Sequence, residues 1–365
     1  MKITKVETIV INTPMIITSK ILPKASGQTR TSIDTLLVRI DTDEGISGWG
    51  EGFGHRIYNA TKAVIDTFLG QMCIGKDPTA HAQLVEDLQR NLSGVGRNGP
   101  AMYALSAIDI ALWDIAGKVA GLPIYRLLGG STRKELPGYA SLLRYADAKT
   151  VAMYAERALK RGYKHMKLHE ITEAPVKAAR KVAGDDISIM IDCNCPWTVS
   201  QAITMAQTLA PYKPLWIEEP VWPPEDHRGL AKVQDMGGIN TAAGENGMLA
   251  DFRSLFENDA VTYAQPSVTK VGGITMMRKV MTLAESYGVN VVPHSAYFGP
   301  GLIASMHCIA AMTQNSLVER FDCDFAETPL HDWIEPKKNG CFELPQEPGL
   351  GVNLDLKLIK KLRVA

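Results

Sequence analysis

The strongest constraint on this chain is a set of strand-like runs that each end in a carboxylate: residues 187–194 (ISIMIDCN), 215–220 (LWIEEP) and 239–246 (INTAAGEN). Asp192, Glu218 and Glu245 are spaced 26 and 27 residues apart. That is about the length of one strand, one helix and two loops, so a barrel of strand-helix units gathers the three at one mouth. Oxygen ligands converging there suit a hard divalent cation such as Mg2+.

The repeat is wider than these three runs. From residue 136 eight β-like runs follow one another: LPGYASLL, YKHMKLHE, ISIMIDCN, LWIEEP, INTAAGEN, TYAQPSV, NVVPHSA and SLVERFD. Amphipathic helical stretches such as AKTVAMYAERALKRG lie between them, and this alternation argues for a parallel barrel. Polar residues recur at the strand ends: Lys167 and His169, Asp192, Glu218, Glu245, Ser267 with Lys270, His294 and Glu319. Successive intervals from His169 to Glu319 are 23, 26, 27, 22, 27 and 25. One such charge alone is as readily a helix cap. A nearly constant phase over consecutive units instead points to a shared cavity, where barrels of this kind keep their chemistry.

At 365 residues the chain exceeds a bare eightfold barrel of roughly 250 residues, so a second domain is expected. Residues 1–51 read as strands, with a hairpin turning at Asp43, Glu44 and Gly45. Residues 17–31 carry Gly, Pro and basic residues without a period and read as a loop. A helical region follows, its strongest segment opened by Pro100 and closed by Gly121. Ala104, Ala107, Ile108, Ala111 and Leu112 give that segment a face of mostly small residues for close packing. The expected division is an α+β capping domain over 1–125, the barrel over 126–328, and a segment over 329–365 returning to the cap.

Lysine plus arginine and aspartate plus glutamate balance at 39 each, which argues against nucleic acid or a membrane surface as partner. The first residues hold no apolar stretch long enough for a signal peptide or a membrane span, so the cytoplasm is the expected location. Six scattered cysteines read as reduced thiols. In the strand period Glu219 is expected to point away from Glu218.

These motifs, with WGE at 49–51, SAIDIALWDIAGKVAGLPIYRLLGG, KLH at 167–169 and KVGG at 270–273, resemble the enolase superfamily and in detail its mandelate racemase-like subgroup. The resemblance runs in order over essentially residues 1–360. It implies a modified TIM barrel, (β/α)7β, under an N-terminal α+β capping domain completed by the C-terminal tail. It places the Mg2+ ligands on Asp192, Glu218 and Glu245. Lys167 is then expected to polarise the substrate carboxylate and His169, standing where relatives usually have a second lysine, to take the α-proton. Histidine does this near neutral pH without a large pKa shift.

On the opposite face the family pairs a strand-seven histidine with a strand-six aspartate. Here His294 faces Ser267, which can orient the ring but cannot offset its charge. Lys270 is the alternative base on that face, Glu319 is expected to donate to the substrate carboxylate, and Asn194 to contact substrate. Lys20, Lys24, Arg30, His55 and Tyr58 in the capping loops are candidate specificity residues. The expected activity is α-proton abstraction from a small-molecule carboxylate through an enediolate, followed by loss of a β-hydroxyl from a hydroxy acid or sugar acid. Racemisation or epimerisation is the alternative, and a non-catalytic ligand binder the third. The resemblance also implies a homo-oligomer, commonly an octamer.

Overall fold

The structure is a computed structural model and describes residues 1–25 and 28–365. Three antiparallel strands, β1 (Ile3–Ile16), β2 (Ser32–Thr42) and β3 (Ser47–Gly52), open the chain as a meander. The hairpin between β2 and β3 turns where the sequence places it, with Gly45 at φ +78°. Inside residues 17–31, read as a loop, Lys24–Ala25 and Gln28–Thr29 form a short antiparallel ladder.

Helix α1 (Pro100–Ala120) has proline in its first turn and Gly121 in the left-handed region after its last. It lies directly on β3. A Cβ at Gly50 would stand 1.9 Å from the Ala107 carbonyl oxygen, and one at Gly48 2.1 Å from that of Ala111. Glycine on the strand and alanine on the helix together allow that approach.

Eight parallel strands then form one curled sheet: β4 (Glu135–Leu142), β5 (His165–Leu168), β6 (Ser188–Asp192), β7 (Ile217–Glu218), β8 (Thr241–Ala243), β9 (Tyr263–Ala264), β10 (Asn290–Val291) and β11 (Val318–Phe321). They fall on the eight runs read from the sequence. A helix follows each of the first seven, and β11 pairs with β4, giving (β/α)7β. Between β10 and β11 the wall is closed by Ser316 Oγ donating to the Val291 carbonyl at 2.7 Å and by the Ser295 N–H donating to Glu319 at 2.9 Å.

Strand alternation sorts the side chains. Met166, Leu168, Ile189, Ile191 and Ile217 enter the large core against the helices. Tyr139, Met190, Trp216, Ala242 and Val292 form a separate apolar cluster, each large member contributing about 1.5–3 kcal/mol on leaving water. Trp216 links this layer to the mouth, its indole N–H donating to Glu218 Oε2 at 3.0 Å.

The cap is fastened to the barrel by buried carboxylates on motifs the sequence singled out. Glu51 of WGE accepts the Gly301 N–H at 2.8 Å, at the start of the helix Pro300–Ala311. Asp109 accepts the Thr275 N–H at 3.0 Å, while Asp114 ties the cap to the tail, accepting from Trp49 N at 2.9 Å and Leu350 N at 2.8 Å. The tail touches both halves: Cys341–Glu343 pairs with β4, and Val10 shares backbone hydrogen bonds with Val364 and Ala365. Among the described residues no helix is long and apolar enough to cross a membrane.

Candidate active site

Lys167 lies at the centre of the mouth. It occupies the inward position of β5, has no exposed surface, and sets its ammonium 2.9 Å from Glu218 Oε1, 2.9 Å from Glu319 Oε1 and 3.2 Å from Asp192 Oδ2. Burial disfavours its charge, but the carboxylates, Glu218 and Glu319 foremost, outweigh that and hold its pKa well above the usual lysine value. Burial likewise opposes ionisation of Glu319, yet Lys167 and then His294 bring that carboxyl down to about 2. In this arrangement Glu319 accepts from Lys167 and from the Ser295 N–H, beneath the cavity wall.

His169 stands at the end of β5. Its Nδ1 lies 2.6 Å from the Leu142 carbonyl, which can only accept, so that nitrogen carries a proton and Nε2 is the one aimed at Asp192 Oδ2, 3.1 Å away. The ring stacks on Phe321 at 5.7 Å between centroids. Arg144 fixes the strand end by donating to the carbonyls of His169 at 2.6 Å and Cys193 at 3.0 Å, with Asn194 Oδ1 at 3.3 Å. Asn194 lines the cavity and donates to Asp192 Oδ1 at 2.7 Å.

Across the cavity, His294 Nε2 is 2.9 Å from Glu245 Oε2 and Lys270 Nζ is 3.3 Å from Glu245 Oε1. Ser267 Oγ is 3.4 Å behind the ring at Nδ1, where it orients His294 and does not reach the cavity wall; the Tyr297 hydroxyl is 3.5 Å from the same nitrogen. Lys270 also approaches Asn246 Oδ1 at 3.0 Å and lies 4.3 Å from the centre of the Phe53 ring.

Of the three carboxylates read as metal ligands, Asp192 and Glu218 are buried at this mouth and Glu245 is half-buried on the cavity. Burial resists ionisation of Asp192, but Lys167 and His169 lower its pKa; Lys270 and His294 do the same for Glu245. Glu218 goes the other way, raised by burial and by neighbouring Asp192 beyond what Lys167 offsets. Among the described residues no three acid, histidine or cysteine side chains already close around one point, and ammonium and imidazole groups stand between the carboxylates. The donor set nonetheless fits a hard divalent cation: it is all oxygen, acidic and largely withdrawn from solvent, with excess negative charge for a cation to offset.

The sequence reading of Glu219 is corrected here. Alternation predicts that it turns away, yet it lines the cavity, because the strand ends at Glu218 and Glu219 adopts φ 43°. Burial, then Glu245 and Asp192, raise its pKa to about 8. Asn194 and Cys195, at φ 54° and 55°, make the same kind of break after β6.

The cavity, of about 330 Å³, runs from these groups up to the cap, where Arg30, Phe53 and His55 line it. Lys20 is exposed and outside it, Tyr58 packs against the capping core, and the side chain of Lys24 lies outside the described residues. Three contributors are absent from the sequence reading. Gln265 donates to Glu218 Oε2 at 2.8 Å; it precedes Ser267 by two, the same-face spacing in a strand. Arg144 precedes His169 by 25 residues, the interval of the repeat itself. Tyr297 follows His294 in a loop and carried no periodic signal.

A curled parallel sheet with a carboxylate-lined mouth and a basic group on either side defines a class of metal-assisted proton-abstracting enzymes. Residues 7–129 match the mandelate racemase / muconate lactonizing enzyme N-terminal domain and residues 150–358 the enolase C-terminal domain-like family. The chain belongs to that family, within the enolase superfamily, and membership implies a divalent metal. It is 33% identical over 352 residues to the D-galactarolactone cycloisomerase of Agrobacterium fabrum, covering 90% of this chain and 91% of that one. It is 30% identical over 349 residues to the D-galactonate dehydratase of Ralstonia pickettii, covering 89% and 90%. A racemase from Streptomyces coelicolor with bound magnesium superposes with a TM-score of 0.85 at 29% identity, over 99% of this chain and 100% of that one. The protein is accordingly an enzyme of the lyase or isomerase kind.

Proposed function

We propose that this enzyme abstracts the α-proton of a sugar acid and expels the β-oxygen, acting chiefly as a Mg2+-dependent sugar-acid dehydratase. The observation that carries the reading is the bracketing of one carboxylate cluster by two basic walls: His169 on Asp192, and His294 with Lys270 on Glu245. Asp192, Glu218 and Glu245 would hold the cation, which supplies positive charge to the substrate carboxylate and lowers the cost of the enediolate.

The chain's own residues do the rest. The Leu142 carbonyl keeps a proton on His169 Nδ1, so the nitrogen that exchanges is Nε2: once the proton it shares with Asp192 is released, its lone pair takes the α-proton. Lys167, ionised and fixed among carboxylates, adds positive charge under the substrate carboxylate, and Asn194 offers an amide at the rim. On the far wall His294 gives its Nε2 proton to the departing oxygen, and Lys270 holds Glu245 in place. Phe53 and Phe321 wall the cavity and keep water from the carbanion, with Trp222 exposed at its rim.

The cycloisomerase relative favours a second reading of the same steps, in which the oxygen expelled belongs to a ring and stays attached, so the product is an isomer. Racemisation would instead have Lys270 or His294 return a proton to the opposite face. A mass-spectrometric screen of the Mg2+-loaded enzyme against hydroxy, sugar and amino acids in D2O separates these outcomes. Loss of water supports dehydration, and an isomer with a new keto group supports ring opening. Deuterium on an unchanged skeleton would favour epimerisation, and no change in any acid would overturn the reading.

A further inference from the structure

The charged groups on the cavity wall are mostly answered from within: Asp192 by Lys167 and His169, Glu245 by Lys270 and His294. Arg144 is engaged by two carbonyls and an amide oxygen. Arg30 is different. It enters from the capping loop and is half-buried, and among the described residues its guanidinium makes one side-chain hydrogen bond, from Nη1 to His55 Nδ1 at 3.0 Å. Among the described residues no carboxylate stands within ion-pair distance of it. Asp34, the one carboxylate whose charge it feels, is engaged by Asn12 at 2.7 Å, and Arg56 adds a further positive charge nearby.

His55 does not share the charge. Because Arg30 donates to Nδ1, that nitrogen is unprotonated, and Nε2, 3.4 Å from the Ala296 carbonyl, carries the ring's one proton. Burial and then Arg30 hold its pKa down at about 3, so the ring stays neutral. His55 is braced edge-on by Phe53 at 4.9 Å, and Phe53 in turn lies beneath the Lys270 ammonium at 4.3 Å. The arrangement fixes one N–H of the guanidinium; among the described residues the rest of the fork makes no further hydrogen bond, and Arg30 lines the cavity. A half-buried cation without a counter-charge is costly in a folded protein, and a ligand anion would supply that counter-charge.

We propose that Arg30, aimed by His55, binds a second carboxylate at the far end of the substrate, so that the enzyme acts on aldaric acids or their lactones in preference to aldonic acids. The inference rests on the proposed reading of the near end, where the reacting carboxylate meets Lys167 and the metal ligands. A terminal phosphate is the other anion a guanidinium takes. A single guanidinium beside a neutral imidazole matches the one charge of a carboxylate, whereas a phosphate ester carries about −1.5 to −2.

The test compares three ligands on the Mg2+-loaded enzyme: an aldarate, the aldonate of the same configuration and that aldonate's terminal phosphate ester. Binding is read by calorimetry and turnover by kcat/KM, for the native protein, Arg30→Met and Arg30→Lys. The expected result is a native preference for the aldarate over both others. Arg30→Met lowers the aldarate-to-aldonate ratio about 10- to 100-fold, the worth of one charge-assisted contact. The loss falls in KM rather than kcat because Arg30 is remote from the reacting carbon, and Arg30→Lys restores part of it. Equal binding of aldarate and aldonate by the native protein, an unchanged ratio in Arg30→Met, or a preference for the phosphate ester would each overturn the assignment. If no acid exchanges its α-proton while calorimetry still gives an Arg30-dependent preference for the aldarate, the elimination chemistry falls and the subsite stands.

Discussion

The two walls of the site use the same residue type in different settings. On the first, His169 Nδ1 meets a backbone carbonyl at 2.6 Å, and Arg144 pins the carbonyl of His169 itself. Just beyond, Glu170 accepts the N–H groups of Tyr145 at 2.9 Å and Ala146 at 3.1 Å. On the second, His294 Nδ1 meets two hydroxyls at 3.4 and 3.5 Å with no carboxylate behind it. A carbonyl dictates one tautomer, whereas a hydroxyl gives or accepts as required. The first wall therefore fixes Nε2 as the nitrogen that exchanges its proton, as the proposed base requires. The second suits a ring that gives up a proton and regains it.

The comparison can be broken in graded steps. Chelating divalent ions should abolish turnover on both walls together, and adding Mg2+ back should restore it and raise the melting temperature, since only the folded chain gathers the ligands. A chelated protein with full activity would remove the metal from the account. His169→Asn should cost about 10²- to 10⁴-fold in kcat, the range of a positioned general base. His294→Asn should cost nearer 10²-fold, with product formation hit harder than proton exchange; equal losses in both readouts would erase the distinction between the walls. Ser267→Ala should lower kcat only about 3- to 10-fold, as Tyr297 still meets the ring and one neutral hydrogen bond is lost.

The smallest effect is on stability. Burial lifts the pKa of Glu51, which anchors the loop and helix behind the second wall, from 4.5 to about 7. The folded chain keeps that proton up to about pH 7, whereas the unfolded chain releases it near 4.5. The stabilisation is full below the lower value and lost as pH rises through the upper one. The melting temperature should fall from about pH 5 to about pH 8, and Glu51→Gln should flatten that slope.

The sequence made the barrel legible because each strand-helix unit repeats a polar residue at the same phase, and the structure sets that phase around one mouth. Arg144 obeyed the interval but stood in a run with no other polar strand-end residue to draw attention to it. Glu219 was misread for a physical reason: period two holds only while the strand continues, and a left-handed residue at its end resets the direction of the side chain. The small-residue face of α1 announced a close contact, but not its partner: that Gly48 and Gly50 of β3 meet Ala107 and Ala111 is seen only in the structure. The capping loops carry no period, so Arg30 and His55 could be named as basic residues but their pairing could not, while Lys20 and Tyr58 looked equivalent and are not on the cavity.

The central claim is that His169 takes the proton and His294 serves the leaving oxygen. The most direct test follows α-proton exchange in D2O, alongside keto-acid formation, for His169→Asn and His294→Asn on an acid that the native enzyme converts. The account predicts that His294→Asn still exchanges the α-proton while forming little keto acid, and that His169→Asn loses both. Native-rate exchange in His169→Asn would contradict it and move the base to the wall of Lys270 and His294.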